Sequence, residues 1–252
     1  MKVTAVAVSA FALAAALMLN CERASAALLI NELDSDSANT PSTDFAEFVE
    51  LYDTSGTSVS LNGYSLIYVN GGSVAAADVT YYAVDLDGFT TSATGYFLVG
   101  SIPGADIQAN NPSNPGGAPG NLLQNGVDAV VLYQGNAADF PNGTALTSIV
   151  PANIVDAVVY DTGDPDDTVL RDYLLVAGGV VDEFGRDGTS ANGAIDSIGR
   201  LPNGSGAARD TTTWKFMLPS PGAANGVIPE PASLCLAALG MVAMAAIRRR
   251  HA

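Results

Sequence analysis

Turn signals cut the middle of this chain into apolar pieces too short for helices. Asn70-Gly71-Gly72, Asp87-Gly88 and Asn125-Gly126 stand between short runs rich in β-branched and aromatic side chains. Leu28-Leu29-Ile30, Ser65 to Val69, Tyr81 to Asp87, Tyr96-Phe97-Leu98-Val99, Ala129 to Tyr133 and Val155 to Tyr160 each read as a strand. Phe45 to Tyr52 alternates, placing Phe48, Glu50 and Tyr52 on one face and Glu47, Val49 and Leu51 on the other, because successive strand side chains point to opposite sides. Ser197-Ile198-Gly199-Arg200 and Thr213-Trp214-Lys215-Phe216 extend the pattern toward the end. Many short strands separated by turns predict an all-β sandwich. One stretch departs from it. Asp164-Pro165-Asp166-Asp167, followed by Val169, Leu170, Tyr173 and Leu174, predicts a short helical insertion with Asp164 as its cap and Pro165 in its first turn. Ile102 to Gly120, dense in Asn, Pro and Gly, predicts a long loop.

Both ends of the chain are expected to be addresses. At the front, Lys2 precedes an apolar run from Val3 to Leu19, and Ala24-Ser25-Ala26 forms an A-x-A site, which predicts a signal peptide over residues 1–26 and export by the Sec machinery. Asn20 stands before Cys21 where a lipoprotein would need a small residue. At the far end, Pro229-Glu230-Pro231 precedes an uncharged run from Ala232 to Ile247, and Arg248-Arg249-Arg250 follows it. That run would make a helix of roughly 24 Å at about 1.5 Å per residue, short of a ~30 Å hydrocarbon core, with the arginines held on the cytoplasmic side. The triplet, span and basic stop together resemble the PEP-CTERM signal, by which Gram-negative bacteria hand exported proteins to an exosortase. An uncut tail anchor would share the span and the arginines, so the triplet is what separates the two readings. The expected organisation is a signal peptide at 1–26, a β-sandwich domain at 27–226 and a sorting signal at 227–252, with a membrane helix at 232–247.

These addresses limit the chemistry of what lies between them. Cys21 leaves with the signal peptide and Cys235 lies in the sorting span, so the domain can form no disulfide although its compartment permits one. The chain's one histidine is His251, which takes a serine–histidine triad and histidine-liganded zinc away from the domain. Of the 26 acidic residues only Glu22 and Glu230 fall outside the domain, whereas its basic residues are Arg171, Arg186, Arg200, Arg209 and Lys215. Nucleic-acid affinity depends on neutralising phosphates with Lys and Arg, so no nucleic-acid partner is expected. Divalent cations and neutral glycans remain suited to such a surface.

A second resemblance covers nearly the whole domain. Ile30-Asn31-Glu32, Ala46-Glu47-Phe48-Val49-Glu50-Leu51-Tyr52, Leu61-Asn62-Gly63-Tyr64-Ser65-Leu66 and Gly95-Tyr96-Phe97-Leu98-Val99-Gly100 are similar to the lamin-tail domain of secreted bacterial proteins. Gln124-Asn125-Gly126-Val127-Asp128-Ala129-Val130, Ser197-Ile198-Gly199-Arg200-Leu201-Pro202-Asn203-Gly204 and Ser220-Pro221-Gly222-Ala223-Ala224-Asn225 continue the likeness in order. The resemblance implies an immunoglobulin-like β-sandwich serving as an interaction module, found alone or appended to exported hydrolases and nucleases. In such a fold Gly63 suits a turn with positive φ, Tyr64 would tie its hydroxyl at a sheet corner, and Pro202 with Gly204 would shape a loop before the last strands.

Carboxylates are the remaining candidates for site chemistry. Glu47 and Glu50, three apart in a strand, point to opposite faces and cannot flank one bond. Glu32, Asp34, Asp36 and Asp44 gather hard oxygen ligands in one strand-to-loop segment and form a candidate calcium site. Asp164, Asp166 and Asp167 have the same composition, with helix capping as an equal explanation. The expected function is that of a non-catalytic cell-surface or matrix protein binding extracellular polysaccharide or a surface protein. A carboxylate-based extracellular hydrolase and a structural spacer are the alternatives.

Overall fold

The computed structural model describes residues 27–35, 46–72, 78–109, 122–162, 165–182 and 197–226. Within them two sheets pack face to face. The first has β1 (Leu28–Asp34), β2 (Phe48–Asp53), β5 (Tyr96–Gly100), β6 (Ile107–Gln108), β10 (Ser197–Arg200) and β11 (Trp214–Met217), in the order β11-β10-β1-β2-β5-β6. The second has β3 (Tyr64–Asn70), β4 (Val79–Asp85), β7 (Asp128–Gln134), β8 (Ile154–Asp161) and β9 (Val181–Asp182), in the order β4-β3-β7-β8-β9. Pairing is antiparallel except at the two-residue strands β6 and β9, which add in parallel to β5 and β8.

The strands of the second sheet read as continuous apolar runs because both of their faces are covered. Leu66 and Tyr68, Val130 and Leu132, and Val158 and Tyr160 point into the interior shared with Ile30, Leu33, Val49, Leu51, Phe97, Val99 and Ile198 of the first sheet. The intervening Ile67, Val69, Ala129, Val131, Ala157 and Val159 point the other way. They meet a cover built from short 3-10 turns carrying Phe140, Leu146 and Ile149 and from the helix α1 (Thr168–Leu174), which contributes Leu170 and Leu174. Burial of this apolar surface, worth roughly 25 cal/mol per Å², is the main stabilising term open to a domain without disulfides.

The helix lies where the sequence places it, with a different cap. Asp167, in an extended conformation, accepts from the N–H groups of Val169 and Leu170 at 2.9 Å each and stops the chain's approach one residue before Thr168. Asp164, the expected cap, lies outside the described residues. Gly63 adopts φ +82°, as the turn into β3 requires. Tyr64 is half-buried against the core; among the described residues, the hydroxyls that tie to backbone carbonyls are instead those of Tyr81, Tyr160 and Tyr173, on Leu122, Gln124 and Ile149. Trp214 is 4% exposed and belongs to the core. The Ile102 to Gly120 stretch contains β6, and Leu122 and Leu123, just beyond it, donate their N–H groups to the buried Glu47 carboxylate. No helix among the described residues is long and apolar enough to cross a membrane. The expected span at 232–247 lies outside them, as do the signal peptide and the processing residues Ala24, Ser25, Ala26, Pro229, Glu230, Pro231, Arg248, Arg249 and Arg250.

Candidate functional site

The outer face of the first sheet buries polar groups where a solvated face would be expected. A bulge between Ile30 and Glu32 shifts the register of β1 on β2, so that Ile30 and Leu33 face the interior while Glu32 pairs with Glu50 and Asp34 with Phe48 on the outside. Glu32 and Glu50 are both 0% exposed. Two adjacent buried carboxylates are costly unless donors reach them, and the donors come from the far end of the domain. Glu32 accepts from Ser197 Oγ at 2.6 Å, and from Ser220 N–H and Oγ at 2.8 Å each. Glu50 accepts from Asn31 Nδ2 and from Gly222 N–H at 2.7 Å each.

Three asparagines complete this roof. Asn31 Nδ2 also lies 3.0 Å from Asn203 Oδ1 and 3.1 Å from Asn225 Oδ1, while its own Oδ1 accepts from Gly204 N–H at 2.9 Å. Asn225 donates through Nδ2 to the carbonyls of Asn31 and Arg200 at 2.9 and 3.1 Å. Its N–H reaches Asn203 Oδ1 at 2.9 Å. The seat for Asn225 exists because residue 199 is glycine: a Cβ there would stand 2.7 Å from Asn225 Nδ2 and 2.7 Å from Met217 Sδ. Four of the blocks that carry the lamin-tail resemblance thus meet at one place, through Asn31, Glu50, Asn203 and Asn225.

Burial sets the protonation of the pair. It pushes Glu50 up to about 8, aided by the Glu32 charge and opposed by the Asn31 and Gly222 donors. Glu32 is also raised by burial, against the pull of Ser197 and Ser220. Directly behind this roof, Arg200 runs between the sheets. Its Nη2 meets both Asp156 oxygens, at 3.1 and 2.9 Å, in an ion pair with both side chains fully buried. Asp156 also accepts from the N–H groups of Ile30, Ala157 and Arg209, and Arg200 donates to the carbonyls of Ile30, Ser205, Ala207 and Asp210. Burial lifts the Asp156 carboxyl above its ordinary value, against the pull of Arg200 and the N–H donors.

Of the four residues expected to bind calcium, the structure describes two. Glu32 has its oxygens on serine donors, and Asp34 is buried one strand position beyond it on the same face. Asp36 and Asp44 lie outside the described residues. Glu47 and Glu50 point to opposite sides of β2, as their spacing requires: Glu47 to Leu122 and Leu123, Glu50 to the roof. What the sequence did not reveal is the partnership of Asn31, Glu32 and Glu50 with residues 203–225. Hydrophobic pattern carries no signal for it, although the Asn-rich blocks themselves were visible.

Comparison with known proteins agrees with this architecture. A family profile described as Lamin Tail Domain matches residues 22–215, and one described as PEP-CTERM protein-sorting motif matches residues 227–250. No curated protein matches the chain. Among solved structures, it is similar to a DUF4876 family protein from Bacteroides thetaiotaomicron VPI-5482, with a TM-score of 0.47 and 12% identity over 77% of this chain and 72% of that one. The sorting motif begins one residue past the Asn225-Gly226 end of the roof, and it makes the protein an exosortase-sorted, exported component of a Gram-negative cell envelope, membrane-anchored before C-terminal processing. The chain belongs to the lamin tail domain family.

Proposed function

We propose that this protein is a non-catalytic surface module that binds extracellular polysaccharide or another surface protein. The observation that carries the reading is the sealing of Glu32 and Glu50. Two carboxylates side by side are what a glycosidase would need, yet these accept from Ser197, Ser220, Asn31 and Gly222 and are closed to solvent. Asp156 is likewise engaged, by Arg200 and three N–H groups. Their role is to hold the fold, which leaves the acidic exterior as the working surface. Export through the Sec machinery would deliver that surface to the cell exterior, where its charge disfavours anionic lipid and nucleic acid and suits neutral glycans. A glycan array and a panel of insoluble polysaccharides test this. Retention of the protein with no released product is expected, whereas metal-dependent release of oligosaccharide or phosphate would overturn it.

A further inference from the structure

The chain leaves the domain beside β11. Asn225 donates to the carbonyls of Asn31 and Arg200, and a Cβ on Gly199 would stand 2.7 Å from Asn225 Nδ2 and 2.7 Å from Met217 Sδ, so the exit lies next to the end of that strand. Gly226 follows, the sorting motif begins at residue 227, and the apolar run starts at Ala232. The six steps from Gly226 to Ala232 span at most about 22 Å even when fully extended. A domain of this size has a radius of gyration of about 16 Å and is roughly 40 Å across. It is therefore wider than its tether is long. While the apolar run is embedded in a bilayer, the exit must stay on the half of the domain that faces the membrane.

The surface around the exit differs from the rest of the domain. Phe216 and Leu218, on either side of Met217, are 40% and 45% exposed. Lys215, just before them, is exposed as well. None of the chain's 26 acidic residues falls between Thr211 and Gly226, and the two carboxylates that meet the exit loop, Glu32 and Glu50, are buried. Two apolar side chains with a cation beside them suit the boundary between lipid headgroups and acyl chains. The acidic remainder of the domain is repelled by anionic lipid, which favours the same orientation. We propose that this exit face docks on the membrane in which the chain's own C-terminal run is embedded, with Phe216 and Leu218 entering the headgroup region and Lys215 meeting lipid phosphate. A weak contact suffices, because so short a tether keeps the face at the bilayer at an effective concentration in the millimolar range. The contact would hold Pro229-Glu230-Pro231 close to the bilayer until the sorting enzyme cuts, and removal of the apolar run would release it. The inference rests on the sorting signal and stands independently of the glycan or protein binding proposed above.

The chain freed of its signal peptide and carrying Cys235→Ser, placed in nanodiscs of phosphatidylethanolamine and phosphatidylglycerol, tests the assignment. An environment-sensitive fluorophore is attached at one introduced cysteine, and lipids spin-labelled at the headgroup serve as quenchers. Leu218→Cys is compared with Val150→Cys and Val169→Cys, at positions 49% and 45% exposed that belong to the cover of the second sheet, on the opposite side of the sandwich. The label at position 218 should be quenched several-fold more than either control and should emit further to the blue, with Lys215→Glu reducing both effects. Phe216→Cys supplies a second reporter should the first disturb the end of β11. Quenching at 218 and 216 no stronger than at the controls overturns the proposal and leaves the exit face to the sorting enzyme or another protein. Stronger quenching at Val150 or Val169 would also overturn it, by turning the opposite side to the lipid.

Discussion

Glu32 and Glu50 are cross-strand partners that grip one loop at two points, Glu32 through Ser220 and Glu50 through Gly222. The loop is the last part of the domain before the sorting motif, so the first and second strands hold the chain's exit.

That pair makes stability depend on pH in an unusual direction. Unfolded, Glu50 ionises near 4.5; folded, it does so at about 8. Below 4.5 both states carry the proton. Between the two values only the unfolded state releases it, so stability declines as pH rises, by at most about 1.4 kcal/mol per pH unit. Glu32 acts in the same sense. Thermal melts from pH 5 to pH 8 should therefore show a falling Tm, and Glu50→Gln should flatten the profile. A wild-type Tm that climbs across this range would contradict the assignment.

Arg200 and Asp156 should behave as a buried pair that tolerates joint replacement better than single loss. Truncating either partner leaves the other charged and closed to water, at a cost of about 3–5 kcal/mol. In urea unfolding, Arg200→Met with Asp156→Leu should cost less than the sum of the two single changes. Strict additivity would mean that the contact carries no coupling.

The seat of Asn225 gives two variants with one expected phenotype. Asn225→Ala removes donors to the carbonyls of Asn31 and Arg200, and Gly199→Ala drives a methyl group into the same place. Each should cost about 1–3 kcal/mol. Limited proteolysis should cut both variants between Met217 and Asn225 faster than the wild type, and their combination should add little to either alone.

Asp167→Ala should cost about 0.5–2 kcal/mol through loss of the cap on α1, whereas Asp166→Ala, at an exposed position, should leave the Tm within error. Equal losses at both positions would return the capping role to the acidic stretch as a whole.

How much of this was legible in the sequence depended on whether a position is governed by local pattern or by a distant partner. β3, β7 and β8 are readable because their side chains alternate between two apolar layers, giving unbroken runs such as Ala129 to Tyr133. β1 runs on past the apolar Leu28-Leu29-Ile30 into the polar Asn31 and Glu32, where apolar pattern gives no strand signal. They stay in the sheet because Ser220 and Asn225, nearly two hundred residues on, satisfy them. β6 and β9 have two residues each, too few for any period. The hydrogen bond from Gly72 N–H to Asp167 joins residues that share no motif, so composition could not reveal it.

The most direct test of the account is the mass of the C-terminus of protein recovered from the cell surface and the medium. If an exosortase sorts this chain, intact-mass spectra should show a terminus upstream of Arg248, with the apolar run from Ala232 to Ile247 removed. Surface protein that still carries Arg248-Arg249-Arg250 would contradict it.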